Sequence, residues 1–347
     1  MSLKADIEKN FGSFRLKLNI EAENETLALL GASGCGKSLS LKCIAGVIKP
    51  DRGHIELNGR TLFDSARGIN LSPQQRRTGL MFQNYALFPN MSLRENIKAG
   101  AKREKNPKLR DKKVTEIMER FGLSELGERM PSQLSGGQQQ RTALARILVS
   151  QPEILLLDEP FSALDSHLRF RLEGELRSVI REFGKTVILV SHDRDEVYRL
   201  SDKIAVMNGG TVETQGSRDR VFAQPETRTA AILTGCRNIS SLRRLSRGEI
   251  LAEDWGIRLK APENGETPAF AGIRAAELKA EQGEDGHPFR ILEQVENPFS
   301  VTLILAPEGS VGAGRVELEM SREERQKIQG DRVQLRFPQE KILFLKE

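Results

Sequence analysis

The chain has few of the residues that mark several protein classes. Of its 347 residues, only three are cysteines and 5% are aromatic. Cys35, Cys43 and Cys236 are odd in number and lack paired spacing, which argues against a disulfide framework and against a zinc site. No internal repeat is evident, which argues against a solenoid or a propeller.

Long apolar runs are also missing. No stretch approaches the roughly 18 apolar residues that a membrane-spanning helix needs. The first ten residues, MSLKADIEKN, contain no apolar core of a secretory signal. We therefore expect a cytoplasmic protein that reaches the membrane only through a partner.

Charge is nearly balanced, with 53 basic and 48 acidic side chains and a net charge of +5. So small an excess favours an ordinary solvated surface. No basic patch interleaved with aromatic residues is present, so we expect no nucleic-acid partner.

The pattern of apolar residues divides the chain in two. Continuous apolar segments, TLALL, ILLL and TVILV, predict strands buried on both faces of a parallel sheet, and helical periodicity dominates about 92–150. Beyond about 240, short alternating segments such as VELEM and VQLRF lie between glycine and proline turns. We predict an α/β domain over 1–235 and a small all-β barrel over 236–347.

The segment GASGCGKS at 31–38 follows a predicted strand and precedes a predicted helix. This is the context in which G-x-x-x-x-G-K-[ST] binds phosphate. The glycines let backbone N–H groups face phosphate oxygens, Lys37 supplies a positive charge, and Ser38 supplies a hydroxyl for Mg²⁺. We predict a nucleotide site here.

Two adjacent carboxylates end the buried strand in ILLLDEP. Asp158 is expected to orient Mg²⁺, and Glu159 to accept a proton from the attacking water. An acidic pair after a strand is common, but the phosphate loop earlier in the chain favours the catalytic interpretation.

The segment LSGGQQQR at 134–141 opens a second helix, with Ser135 as its N-cap. Gly136 and Gly137 allow a close approach of the backbone to another group. Alone, this pattern is also compatible with an ordinary capped amphipathic helix. A second helix start that can face a phosphate indicates that ATP is shared between two copies.

Together these motifs resemble the ATPase subunit of ATP-binding-cassette (ABC) transporters over residues 1 to about 235. The resemblance implies a RecA-like parallel sheet with an antiparallel β edge, an inserted helical subdomain at about 86–153, and ATP with Mg²⁺ as cofactors. Two copies are expected to close head to tail on two ATP molecules.

Further site residues follow from the resemblance. Phe11 matches the aromatic residue that stacks on adenine, with Phe14 as its rival; Gln83 matches a glutamine that senses Mg²⁺; and His192 matches a histidine at the γ-phosphate. Asp165, in SALD, matches a loop that crosses between the copies. The expected nucleotide contacts also include Gly31, Ala32, Ser33, Gly34, Cys35, Gly36, Lys37, Ser38, Leu39, Ser135, Gly136, Gly137 and Gln138, where Leu39 replaces the family's more frequent threonine.

The resemblance also implies partners. The segment from Tyr85 to Met91 matches a groove for a short helix of the membrane-spanning permease, although packing between subdomains is the alternative. Exposed Tyr85, Leu87 and Phe88 would fit such docking. The subunit is then peripheral on the inner face of the cell membrane, and an extracytoplasmic solute-binding protein is an indirect partner.

The resemblance implies that the C-terminal domain is an oligomer-binding-like (TOBE-type) regulatory barrel, similar to those of bacterial importers of oxyanions, iron, polyamines and sugars. GIRAAEL, with Arg274, resembles a G-I-R-P-E motif but has two alanines in place of Pro-Glu. Two further segments, TGCRNIS and NPFSVTLILAP, look most like those in the ATPases of molybdate and sulfate importers. The serine-alanine-arginine-asparagine segment of molybdate-binding domains is missing, however. Molybdate or sulfate is the expected cargo; iron, polyamine or sugar import, and a soluble non-transport ATPase of the family, are the alternatives.

Overall fold

A computed structural model describes residues 1–162, 166–246, 248–262, 268–281, 286–308 and 314–347. The chain forms two compact units, Met1–Arg218 and Asp219–Glu347. The structure thus divides after the first residue of the first of two short helices that precede residue 236. The functional boundary predicted at 235/236 stays a prediction.

The first unit is built on one sheet of eleven strands. In chain order these are β1 (Ser2–Phe11), β2 (Phe14–Glu23), β3 (Thr26–Gly31), β4 (Arg52–Leu57), β5 (Arg60–Asp64), β6 (Ile69–Asn70), β7 (Thr78–Met81), β8 (Ile154–Asp158), β9 (Val187–Ser191), β10 (Lys203–Asn208) and β11 (Thr211–Ser217).

Part of this sheet is parallel and part antiparallel. Strands β10, β3, β9, β8 and β7 lie side by side and run parallel. Strands β2, β1, β4, β5 and β6 continue the sheet as an antiparallel edge. Every residue of β3, β8 and β9 is buried, which explains their continuous apolar sequences. The predicted α/β core with an antiparallel edge is confirmed.

Seven helices with bounds inside the first unit accompany the sheet in the described part of the chain. They are α1 (Lys37–Ala45), α2 (Pro73–Arg76), α3 (Leu93–Gly100), α4 (Pro107–Arg120), α5 (Gly136–Leu148), α6 (Ser166–Phe183) and α7 (Arg194–Leu200). Helices α3, α4 and α5 lie between β7 and β8 in the chain, where the inserted helical subdomain was predicted. No helix in the described ranges is long and apolar enough to cross a membrane.

The second unit consists mainly of two antiparallel five-stranded sheets, ordered β14-β13-β12-β15-β21 and β16-β20-β17-β18-β19. Its strands are β12 (Asn238–Ser246), β13 (Glu249–Ala252), β14 (Ile257–Lys260), β15 (Phe270–Ile273), β16 (Lys279–Glu281), β17 (His287–Glu296), β18 (Val301–Pro307), β19 (Val316–Met320), β20 (Arg332–Arg336) and β21 (Leu343–Leu345). The short helices are α8 (Arg218–Ala223), which begins at the last residue of the first unit, α9 (Arg228–Leu233) and α10 (Arg322–Lys327).

The core of this second unit is shared by both sheets. The rings of Trp255 and Phe289 both contact the ring of Phe337. The alternating apolar residues of VELEM and VQLRF belong to the same cluster. The structure agrees with the predicted small all-β domain.

A fully buried arginine fixes the far end of α1. Arg76 has no solvent exposure, and its guanidinium donates to the carbonyl oxygens of Cys43 and Ile44 at 2.8 Å each. Its positive charge also faces the negative end of the helix. Gly46 ends α1 with φ of 80°, and a Cβ there would lie 2.6 Å from the Arg76 Nε. Burial lowers the pKa of Arg76 to about 10, so the side chain remains charged at neutral pH.

Arg76→Met should therefore lower the free energy of unfolding by about 3 kcal/mol, because it leaves buried carbonyl oxygens without donors. Arg77→Met is the matched control: the Arg77 side chain is 60% exposed and pairs with Glu153. That change should cost less than about 1 kcal/mol. Urea unfolding followed by far-UV circular dichroism measures both, and equal losses would contradict the role given to Arg76.

Candidate functional site

The phosphate loop joins β3 to α1. Gly36 is the N-cap residue of α1, with φ of 103°, and no side chain caps the helix. The first N–H groups of α1 are therefore available to an anion. A Cβ on Gly36 would lie 3.1 Å from the Phe14 ring, so a side chain there would press on the aromatic residue behind the loop.

Lys37 lies inside this loop. It is 5% exposed, and its ammonium donates to the carbonyl oxygens of Gly31 at 2.7 Å and Ala32 at 2.9 Å. The loop thus holds the positive charge at the position where phosphates are expected. Cys35 is also buried, with its sulfur 3.8 Å from the Lys37 ammonium. A Cβ on Gly31 would lie 2.5 Å from that sulfur, so glycine is needed there for space.

The two predicted carboxylates have different environments. Asp158 is 4% exposed and accepts a hydrogen bond of 2.7 Å from the Ser38 hydroxyl. Burial raises the pKa of Asp158 despite this bond. Glu159 has φ of 44°, an unusual value for a residue with a side chain, and its carboxylate contacts two other side chains.

Those two partners are Gln83 and His192. The Gln83 amide nitrogen donates to one Glu159 oxygen at 3.3 Å, and His192 Nδ1 lies 3.2 Å from the other. All three side chains line one cleft of about 420 Å³ together with the phosphate loop. The described residues of the cleft are Ser33, Gly34, Gly36, Lys37, Ser38, Leu39, Gln83, Glu159 and His192.

The side-chain oxygens of Ser38 and Asp158 are suitable ligands for a magnesium ion. Ser38 and Asp158 present hydroxyl and carboxylate oxygens 2.7 Å apart, and oxygen is the ligand that Mg²⁺ prefers. In the described ranges, no group of three or more His, Cys, Asp or Glu side chains is placed to hold a metal. Few protein ligands are also normal for Mg²⁺ that is shared with nucleotide phosphates.

Phe11 is not among the described residues that line the cleft. It is 37% exposed, its ring centroid is 6.4 Å from that of Phe14, and the Lys9 ammonium lies 5.9 Å from it. Phe14 is the ring that a Cβ on Gly36 would meet, at 3.1 Å. The adenine-stacking role of Phe11 stays a prediction, with Phe14 still its rival.

The segment LSGGQQQR at 134–141, here called the signature segment, contains the capped start of α5. Ser135 accepts from the Gln138 amide, and the Gln138 side chain accepts from the Ser135 amide at 2.9 Å. Ser135 is exposed, Gly136 is half-buried and Gly137 is buried. None of the three is among the described residues that line the cleft. Asp165 lies outside the described residues.

The prediction of an exposed docking patch needs correction at Tyr85 and at Leu87, which is half-buried. Tyr85 was expected to be exposed, but only 3% of it is. Its φ of 59° turns the ring inward, where the phenol donates to the Pro160 carbonyl oxygen at 3.2 Å. Phe88 and Met91 are exposed, by 46% and 38%.

Several contributors to the site were missed from sequence. Gln140 also donates to the Pro160 carbonyl oxygen, at 3.2 Å, and Asn96 and Arg146 bind the backbone after Gln83. The one sequence signal for such residues is a polar side chain on an apolar helix face. That signal does not identify the group that the side chain binds.

Comparison with known proteins agrees with this geometry. A family model described as "ABC transporter" matches residues 15–162. A spermidine/putrescine import ATP-binding protein of Oleidesulfovibrio alaskensis is 36% identical over 294 residues, covering 84% of this chain and 74% of that protein. A molybdate/tungstate import ATP-binding protein of Archaeoglobus fulgidus is 41% identical over 239 residues, covering 69% of this chain and 96% of that protein.

A solved structure is similar as well. It is a dimeric ATP-binding cassette in a post-hydrolysis state, bound to ADP and phosphate. It is 29% identical with a TM-score of 0.53, and the match covers 63% of this chain and 99% of that one. The extent of these matches, together with the phosphate loop, Glu159 and His192 around one cleft, leads to one conclusion. The chain belongs to the ABC transporter family, and it is an ATP-hydrolysing subunit similar to those of importers.

Proposed function

We propose that this ATPase powers uptake of a small solute, and that Glu159 is the base for hydrolysis. The position of Glu159 at the cleft, held by Gln83 and His192, carries this proposal. Lys37 and the α1 N-terminus bind the β- and γ-phosphates. Ser38, Gln83 and Asp158 would hold Mg²⁺, which would supply neutralisation of the phosphate charge.

His192 and Gln83 have a further role in this proposal. Both contact the Glu159 carboxylate, so they orient it before water is deprotonated. His192 then reaches the γ-phosphate, and Gln83 connects the cleft to the segment that begins at Asn84. Loss of the γ-phosphate removes the contacts that hold the site closed.

We further propose that two copies complete each other's sites. Ser135 is exposed at the start of a capped helix, Gly136 and Gly137 follow it, and all three lie away from the cleft of their own chain. A second copy, placed head to tail, brings these N–H groups to the γ-phosphate. Asp165 belongs to the same proposed interface, and the dimeric relative supports this arrangement.

The receiver of the motion is proposed to be a permease. Exposed Phe88 and Met91 form an apolar patch next to Gln83 in sequence, which suits the docking of a short apolar helix. Such docking makes the ATPase peripheral on the inner face of the membrane and connects it indirectly to an extracytoplasmic solute-binding protein.

We propose molybdate or sulfate as the cargo. The molybdate/tungstate relative of Archaeoglobus fulgidus supports this choice, as do the segments TGCRNIS and NPFSVTLILAP. Polyamine import is the second candidate, because the alignment with the spermidine/putrescine relative extends over 84% of this chain and so into the β-sheet unit.

The first prediction concerns the base. Glu159→Gln keeps the size of the side chain and one acceptor oxygen but cannot accept the proton, so hydrolysis should fall at least about 100-fold. ATP binding should persist, and ATP-bound dimer should accumulate in size-exclusion chromatography. Hydrolysis at the normal rate would remove Glu159 as the base.

The second prediction concerns the shared site. Ser135→Arg places a large cation at the helix start, so it should abolish hydrolysis while each monomer still binds ATP, measured by fluorescence of a labelled nucleotide. A mixture of Ser135→Arg and Lys37→Ala chains offers a control, because one of its two composite sites has neither change. Full activity of Ser135→Arg at every protein concentration would contradict sharing.

The third prediction concerns cargo. In liposomes with its permease, the ATPase should be stimulated by a binding protein loaded with molybdate or sulfate. Spermidine-loaded binding protein is the matched comparison. Stimulation by the polyamine carrier alone would overturn the oxyanion assignment and support the second candidate.

A further inference from the structure

The segment Tyr85–Met91, here called the docking segment, is held by a buried asparagine. Asn96 has no solvent exposure. Its side-chain nitrogen donates to the carbonyl oxygens of Phe88 at 3.1 Å and Met91 at 3.0 Å, and its side-chain oxygen accepts from the Phe88 amide at 2.8 Å. One side chain thus replaces the backbone partners that this loop lacks.

An arginine of α5 binds the start of the docking segment. Arg146 donates to the carbonyl oxygens of Tyr85 and Ala86 at 2.7 Å each. Its guanidinium lies 5.3 Å from the Phe88 ring centroid. Tyr85 and Ala86 have φ values of 59° and 44°, which strain residues with a side chain. Arg146 binds the two carbonyls that this strained conformation presents.

The inner end of the docking segment contacts the backbone that follows β8. The Tyr85 phenol donates to the carbonyl oxygen of Pro160, the residue after Glu159. Burial raises the pKa of Tyr85 to about 12, so the phenol keeps its proton and remains a donor. Glu159 has φ of 44°, so its carboxylate direction depends on how the following peptide is held.

The outer end of the segment is different. Phe88 and Met91 are exposed by 46% and 38%, although the backbone of both is bound by Asn96. A short rigid segment therefore has an apolar outer surface and a polar inner contact beside the base. Displacement of one end must move the other unless the Asn96 and Arg146 bonds break.

We propose that Asn96 and Arg146 are positioning residues that connect the docking segment, through Tyr85, to the backbone at Glu159. Contact on Phe88 and Met91 then alters the orientation of the Glu159 carboxylate and so the rate of hydrolysis. The inference rests on the proposed role of Glu159 as the base. Neither Asn96 nor Arg146 lines the nucleotide cleft in the described part of the chain.

Arg146→Met in the full chain tests the outer connection. The amide of Phe88 should exchange with deuterium about tenfold faster, because the segment loses two charge-assisted hydrogen bonds. The kcat for ATP should fall about tenfold while KM stays unchanged. Arg141→Met is the matched control, since Arg141 lies on the same helix and donates instead to the Phe121 carbonyl oxygen. Exchange in residues 85–91 should be unchanged in that variant.

Tyr85→Phe tests the inner connection without disturbing the rest, and covers the case in which Arg146→Met fails to fold. It removes one hydrogen bond to Pro160, so kcat should fall about fivefold with KM and Phe88 exchange unchanged. Normal kcat in Tyr85→Phe, or faster exchange in Arg146→Met with normal kcat, would overturn the connection.

Glu159→Gln measured alongside separates the two proposals. If Glu159→Gln retains hydrolysis, the base assignment fails, whatever Tyr85→Phe does. If Glu159→Gln is inactive and Tyr85→Phe has full activity, the base assignment stands and the connection through Tyr85 is wrong.

Discussion

Parallel pairing of three buried strands is the constraint on which the site depends. Leu30 of β3 pairs with Ser191 of β9, and Asp158 of β8 pairs with Val190 of the same strand. Because parallel strands end at one edge, the phosphate loop, the base and the histidine that follow them must lie together. The position of the cleft is thus set by the register of the strands. The side chains that line it start from this edge, so none has to extend across the sheet.

This constraint explains which parts could be predicted. Lys37 and His192 follow apolar strands and Asp158 ends one, so local sequence located them and parallel pairing brought them together. Arg76 could not be located in this way. Its partners, Cys43 and Ile44, lie on another helix, and only the folded chain shows that an arginine occupies the interior.

Tyr85 shows the opposite failure. An aromatic residue in a loop-like stretch predicted an exposed docking side chain, but left-handed backbone at Tyr85 and Ala86 turns the phenol inward. Non-glycine residues rarely take this conformation, so sequence gives no reason to expect it.

Prediction from sequence has a related limit in the second unit. Asn238 in TGCRNIS binds the Glu317 backbone through both ends of its amide. This pair of hydrogen bonds joins two strands of the β-sheet unit, and the sequence of the segment alone does not reveal it.

Helix α5 gives the shared-site proposal a physical consequence within each copy. Its exposed start, at Ser135, is proposed to face the nucleotide of the other copy, and Gln140, little more than one turn later, donates to the Pro160 carbonyl oxygen of its own chain. A helix transmits displacement along its axis with little loss, since its backbone hydrogen bonds are continuous. ATP bound by one copy would therefore act on the peptide beside Glu159 in the other. Tyr85 donates to that same carbonyl oxygen, so this peptide would respond both to the second nucleotide and to the permease.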